Sequence, residues 1–192
     1  PVATFSYPAN TYCTLGTATP TITGTSGGTF SSSNGLIINA TSGVINLAAS
    51  TPGIYTITYT LTVGNCTITP TATITINAIP NAPIVTTPIA YCQNATATAL
   101  TATGTNLLWY NLPNGSIGTS TSPIPSTTFI GSSNYYVTQT INNCESPQAT
   151  IIVNVVSAPT TPIINPTGPI QICADSSVIL YSSASTDNEW YK

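Results

Sequence analysis

The sequence predicts an all-β chain of tandem two-sheet sandwich modules, and three observations carry that prediction. Landmark cysteines and aromatics recur at a fixed period, the mark of a repeat architecture. Short stretches alternate apolar and hydroxylated residues with a period of two, the pattern of a strand with one wet face. The composition is rich in Thr, Val, Ile and Tyr, which suit a pleated, half-buried surface, and no stretch has a helical period.

The repeat comes first, because missing it would misassign the fold. The cysteines are Cys13, Cys66, Cys92, Cys144 and Cys173. The spacing from Cys13 to Cys92 nearly equals that from Cys92 to Cys173, and the spacing from Cys13 to Cys66 nearly equals that from Cys92 to Cys144. An aromatic follows the first cysteine of each repeat at one identical spacing: Phe30 after Cys13, Trp109 after Cys92 and Trp190 after Cys173. A Tyr-rich stretch precedes the second cysteine, at Gly53–Tyr59 and Asn134–Thr140. Pro-rich joints, Ile79–Pro83 and Ala158–Pro162, suit stiff exits from one sheet and entries to the next. These marks divide the chain into module 1 (1–79), module 2 (80–157) and the N-terminal half of a truncated module 3 (158–192).

The strongest alternations are Thr56–Val63, Thr71–Ile76 and Thr150–Val156. Turn residues separate the predicted strands at Ser26–Gly28, Asn34–Gly35, Pro113–Gly115 and Gly131–Ser133. About seven short strands per module is the pattern of an immunoglobulin-like β-sandwich. A period of this length is too long for a propeller blade or a solenoid rung. One disulfide per module would favour independent beads.

Charge then narrows the function. The 192 residues hold 1 Lys or Arg, 4 Asp or Glu and no His. Glu145 is the first charged side chain, followed by Asp175, Asp187, Glu189 and Lys192. Without imidazole, paired carboxylates or a cationic cluster, acid–base and nucleophilic mechanisms lack their parts, so no enzyme is expected. Nucleic acid and anionic membranes lose the basic patch that attracts them. No apolar run approaches the roughly 20 residues of a membrane span, and Pro1 opens no signal peptide. The abrupt start and finish read as a segment of a longer protein.

Module 2 resembles the Ig-like repeats of very large secreted surface proteins and adhesins of Bacteroidota. Tyr91–Asn94, Leu108–Tyr110, Tyr135–Val137, Asn143–Pro147 and the closing Ala149–Val153 carry the resemblance. Module 3 begins the same pattern with Ile172–Asp175 and Trp190–Tyr191. Module 1 is similar to a second repeat type of such proteins through Ser26–Phe30, Gly35–Gly43 and Thr51–Thr56, with Phe30 in place of Trp. The resemblance implies export by type IX secretion, display on the bacterial outer surface, and roles in adhesion or gliding motility.

The cysteines read as one disulfide per module, Cys13–Cys66 and Cys92–Cys144, the usual use of cysteine in an exported protein, with no partner present for Cys173. Closing a loop of that length is worth roughly 4 kcal/mol in the chain-entropy model. Cys144 falls in the Asn142–Glu145 turn, so its bridge is expected to tie a strand end to the segment before the second strand. Metal ligation is disfavoured by the lack of His and of any CxxC spacing, and a catalytic thiol by the lack of a base.

Phe30, Trp109 and Trp190 are the expected core aromatics. Alternation sends Trp109 and Tyr110 to opposite faces, which leaves Tyr110, with Tyr135 and Tyr136, as candidate ligand contacts on which a sugar ring could stack. The Thr17–Thr25 run resembles the hydroxyl arrays of ice-binding proteins, but Pro20 interrupts it. Calcium would need clustered carboxylates, and modules 1 and 2 have only Glu145. The Asn-x-Ser/Thr sequons at Asn39, Asn65, Asn94 and Asn114 arise readily by chance in such a composition.

The expected role is therefore structural: a disulfide-stapled spacer in the stalk or fibre of an extracellular bacterial adhesin, with no cofactor and no metal. Its expected partners are neighbouring repeats, and surface glycans or other cell-surface proteins. The alternatives are a glycan- or surface-binding module using exposed aromatics, and the subunit of a polymeric filament.

Overall fold

The computed structural model describes residues 1–115 and 118–191, and among these the regular structure is entirely β. Module 1 holds β1 (Ala3–Ser6), β2 (Thr11–Cys13), β3 (Thr17–Ala18), β4 (Thr21–Gly24), β5 (Thr29–Ser32), β6 (Ile45–Asn46), β7 (Gly53–Val63), β8 (Cys66–Ile68) and β9 (Thr71–Asn77). The main sheet runs β2-β9-β7-β5, with β8 folded back on β7, and the pairs β1–β4 and β3–β6 supply the opposing side. β2 runs parallel to β9, whereas β7 is antiparallel to both β9 and β5.

The long strand β7 shows how pattern becomes packing. Tyr55, Ile57, Tyr59 and Leu61 point inward and are buried, while Ile54, Thr56 and Thr62 are exposed. They meet Ile74 and Ile76 of β9, Phe30 of β5 and Phe5 of β1 in one continuous core. Phe5 meets Phe30 edge-on, with ring centroids 5.3 Å apart, and Phe30 lies 4.7 Å from Tyr59. Such geometry adds about 1 kcal/mol per pair to the area buried. Gly28 is required where it stands. Its N–H donates to the Tyr59 hydroxyl at 2.8 Å, and a Cβ there would lie 2.5 Å from the Thr60 carbonyl oxygen.

Module 2 repeats the plan with β10 (Ile84–Val85), β11 (Ile89–Cys92), β12 (Ala102–Thr103), β13 (Leu108–Tyr110), β14 (Gly131–Thr138), β15 (Thr140–Ile141), β16 (Cys144–Glu145) and β17 (Ala149–Val156). Its main sheet is β11-β17-β14-β13, with β11 parallel to β17, and β10 pairs with β12 outside that sheet. Trp109, Val137, Ile151, Val153 and Leu100 form a second core that shares no residue with the first. Both modules are immunoglobulin-like β-sandwiches.

The two modules superpose by register. Gly53 pairs with Ile76 and Gly131 with Val155, each one residue before the end of the closing strand. Phe30 then faces Tyr59 as Trp109 faces Val137, so Phe in one module occupies the position of Trp in the other. Both are buried, at 3% and 5% exposure.

Residues 158–191 differ. They carry a short hairpin of β18 (Ile164–Asn165) and β19 (Tyr181–Ser182) and contribute nothing to either core. The expectation of a core Trp190 is corrected: its side chain is 53% exposed. Trp109 is covered by Val137 of β14 and by Ile151 and Val153 of β17, and residues 158–191 contain no counterpart of those two strands.

Candidate functional site at the module junction

The feature that stands apart from ordinary sandwich packing is the covalent joint between modules. Cys13 is bonded to Cys144, with Cα atoms 5.6 Å apart, while Cys66, Cys92 and Cys173 are free and exposed. The expected pairs Cys13–Cys66 and Cys92–Cys144 are not formed, and the strand directions explain why. Because β2 is parallel to β9, Cys13 sits beside Asn77 at the exit end of module 1. β7 starts near that end at Gly53, runs away to Val63, and the chain turns back at Cys66. At about 3.4 Å per residue the two thiols stand on the order of 30 Å apart, where a disulfide needs Cα atoms within about 7 Å. The same reasoning separates Cys92, beside Val156, from Cys144, beyond the far end of β14.

Cys144 reaches Cys13 on a two-residue hairpin. β15 and β16 pair Ile141 with Cys144, and Asn142 and Asn143 between them have φ of 51° and 61°. Two consecutive positive φ values define the tight hairpin turn whose twist matches the strands, and Asn tolerates that region better than most residues. The turn projects from module 2 onto the end of module 1. The Asn77 side-chain amide donates to the Asn142 carbonyl at 3.1 Å, and the Cys13 sulfur lies 3.6 Å from the Asn143 carbonyl oxygen. Cys144 is wholly buried.

The Pro-rich joint is tied on both sides. The Ile79 N–H donates to Thr14 Oγ1 at 3.3 Å, and the Gln139 side-chain amide donates to the Asn81 carbonyl at 2.8 Å. A strap of this composition has little freedom to lose, so few contacts suffice to orient it. The bridge closes a separation of 131 residues, worth about 5 kcal/mol against the doubly unfolded chain in the chain-entropy model. One covalent bond and neutral amide donors, one of them meeting the Thr14 hydroxyl as acceptor, hold the joint.

The aromatic candidates end up elsewhere. Trp109 faces the core and Tyr110 the opposite side, as alternation requires, yet Tyr110 is only 7% exposed. The expectation of a wet Tyr110 is therefore corrected. Its ring lies against Gly115 and Gly118, and its hydroxyl donates to Glu145 Oε1, which also accepts from Thr138 Oγ1 at 2.7 Å. Burial, and then the hydrogen bond to Glu145, push the Tyr110 hydroxyl above the usual phenol pKa. Tyr135 and Tyr136 are half-buried neighbours on β14, where alternation sends them to opposite faces, and Tyr135 packs against the core. The three tyrosines do not form one open platform. Asn77 and Gln139 carry the joint without having been singled out from the sequence, whereas Asn142 and Asn143 are marked there only as the turn that holds Cys144.

No protein-family model matches the chain, and no curated protein matches it. Among solved structures it is similar to human protocadherin-24 EC1-2, at 11% identity and a TM-score of 0.31, covering 82% of this chain and 99% of that one. It is also similar to the N-terminal Ig1-2 module of the Drosophila receptor protein tyrosine phosphatase DLAR, at 10% identity and a TM-score of 0.29, covering 80% and 98%. A chimeric titin Z1Z2 gives 14% identity and a TM-score of 0.28, covering 81% and 97%. The fold assignment rests on this chain's own strand order, register and paired cores.

Proposed function

We propose that the chain is a structural spacer in the stalk of an extracellular bacterial surface adhesin, built from Ig-like modules at 1–79 and 80–157 and the first part of a third at 158–192. The observation that carries this reading is the junction. A disulfide between modules, rather than within them, adds nothing to catalysis and restricts the angle between two beads. The bond also implies an oxidising compartment, which supports secretion and display outside the cell. The resemblance to Bacteroidota surface repeats extends the reading to type IX export and to adhesion or gliding. The near absence of charge fits a spacer whose shape is insensitive to salt.

Small-angle scattering of the oxidised chain and of Cys13→Ser tests the spacer role. The oxidised chain is expected to give one narrow inter-module peak in its pair-distance distribution, and the variant a broadened one. Identical distributions, both broad, would refute a spacer with a set angle.

A further inference from the structure

Module 2 repeats at its exit the arrangement that module 1 uses for the joint. Cys92 is the last residue of β11, opposite Val156 at the end of β17, as Cys13 is the last residue of β2, opposite Asn77 at the end of β9. The Gln93 N–H donates to the Val156 carbonyl at 2.7 Å, and the Thr14 N–H to the Asn77 carbonyl at 3.0 Å. The other half of the joint recurs as well. Cys66 and Cys144 each open the return strand of a two-residue hairpin at the entry end of a module, after Gly64-Asn65 in one and Asn142-Asn143 in the other. Cys13 is bonded to the entry cysteine of the module that follows it, whereas Cys92, in the same place, is free and exposed.

Residues 158–191 take up the next repeat on the plan of module 2. After the Pro-rich strap, β18 pairs antiparallel with β19 as β10 pairs with β12, and Cys173 lies between the two strands as Cys92 does. The turn that follows is the same. Asn94 and Asp175, each two residues past the cysteine, have φ of 62° and 64°. The Ala95 and Ser176 N–H groups donate back to the Cys92 and Cys173 carbonyls, at 3.1 and 3.2 Å. The exit end of module 2, where this repeat arrives, is apolar around Cys92. The Gln93 side-chain amide donates to the Thr128 carbonyl and the Asn94 N–H to the Thr127 carbonyl, which brings Phe129 and Ile130 to this end. Both are exposed, as is Val156.

We propose that Cys92 is the anchor for module 3, bonded to the cysteine that opens the return strand of that module's own entry hairpin. The occupant of the exit end is thus the continuation of this chain past Trp190, seated on module 2 as module 2 sits on module 1. Each module is then tied to the next by one exit-to-entry bond. Asn77, whose amide holds the hairpin at the first joint, is replaced by Val156 at the second. The module 3 hairpin is therefore expected to turn an apolar side chain toward Phe129, Ile130 and Val156, where module 2 offers the carbonyls of Asn142 and Asn143. This inference rests on the spacer reading, since it extends the same joint. Forming the bond takes two electrons and two protons from two thiols, and a disulfide oxidant receives them. The Cys92 thiolate attacks one sulfur of the oxidant and releases the other as a thiolate. The module 3 thiolate then attacks the Cys92 sulfur and releases the second, so the oxidant ends as two thiols.

The test is a disulfide map, made without reduction, of the polypeptide carried through the end of module 3. Cys92 is expected in a bond with the first cysteine past Trp190, which should follow Cys173 at close to the spacing of Cys144 after Cys92. Cys92→Ser is expected to add one alkylatable thiol, at that later cysteine, and to leave Cys13–Cys144 in place. Cys173→Ser is expected to leave the Cys92 bond unchanged. A free Cys92, a Cys92–Cys173 bond, a bond from Cys173 to the later cysteine inside module 3, or no cysteine at that spacing would overturn the inference. The same map reads Cys13–Cys144. Its presence beside any of those results sinks this inference alone, and its absence sinks the spacer reading as well.

Discussion

Pulling the chain by its two ends separates the observed cysteine pairing from a within-module one. With Cys13–Cys144 intact, tension passes from residue 13 straight to residue 144 and bypasses most of both sandwiches. Within the two modules, only the segments 1–12 and 145–156 can then be drawn out, about 40 Å on each side at roughly 3.4 Å per residue. The bridge hides a separation of 131 residues, or about 450 Å of extended chain. Force spectroscopy of the oxidised protein against Cys13→Ser is therefore expected to show a total contour gain about 450 Å longer in the variant, divided between two module events. Cys66→Ser should change nothing, because that thiol is free. A within-module bridge from Cys13 to Cys66 would hide only about 180 Å, and either substitution would release it. That shorter gain, seen in both variants, would refute the junction bridge and the argument from strand direction that supports it.

Three further outcomes test the packing. Trp109→Ala removes the largest side chain of the module 2 core and is expected to destabilise that module by about 3–5 kcal/mol, read by chemical denaturation with module 1 unaffected. Gly28→Ala places a methyl group 2.5 Å from the Thr60 carbonyl oxygen and 2.7 Å from Tyr59 Cζ, and is expected to cost about 1–3 kcal/mol in module 1. Stability should be flat between about pH 5 and 9 and fall above pH 10, because burial, and then the nearby Tyr12, raise the pKa of Tyr7 while its hydroxyl donates to the Gly43 carbonyl at 2.6 Å. The unfolded chain releases the phenol proton near pH 10 and the folded one retains it, so the contribution is complete below pH 10 and lost as pH climbs beyond it. Tyr7→Phe is expected to flatten that alkaline slope, and a steep change between pH 5 and 9 would count against the account.

The β periodicity was legible because the strands that carry it are wet on one face. In β7 and β17 each inward aliphatic or tyrosine is flanked by outward residues, and the alternation survives unchanged from sequence to burial. The equivalence of Phe30 and Trp109 was legible as well, from a shared spacing after Cys13 and Cys92 that register reproduces. Tyr110 was misplaced because alternation reports only the face a side chain points toward, and a loop can cover either face. Here Gly115, Gly118 and the Glu145 carboxylate close over the outer one. Trp190 shows the converse, since a residue matched by spacing stays exposed where the strands that would bury it are lacking.

The cysteine pairing was within reach of the sequence, and the step that hid it was the use of separation along the chain in place of direction. Cys13 and Cys66, inside one repeat, look like partners on any count of spacing. The sandwich topology points the other way. If the first edge strand runs parallel to the last, its final residue lies where the chain leaves the module. The strand antiparallel to the last then ends where the chain enters, and a cysteine just past its hairpin sits at the entrance. One thiol at each pole cannot close a bond within the module, but consecutive modules bring an exit pole against an entry pole. The repeat period that suggested independent beads is thus also what places a link at their contact, and removing either cysteine of that contact should loosen the joint while leaving both beads folded.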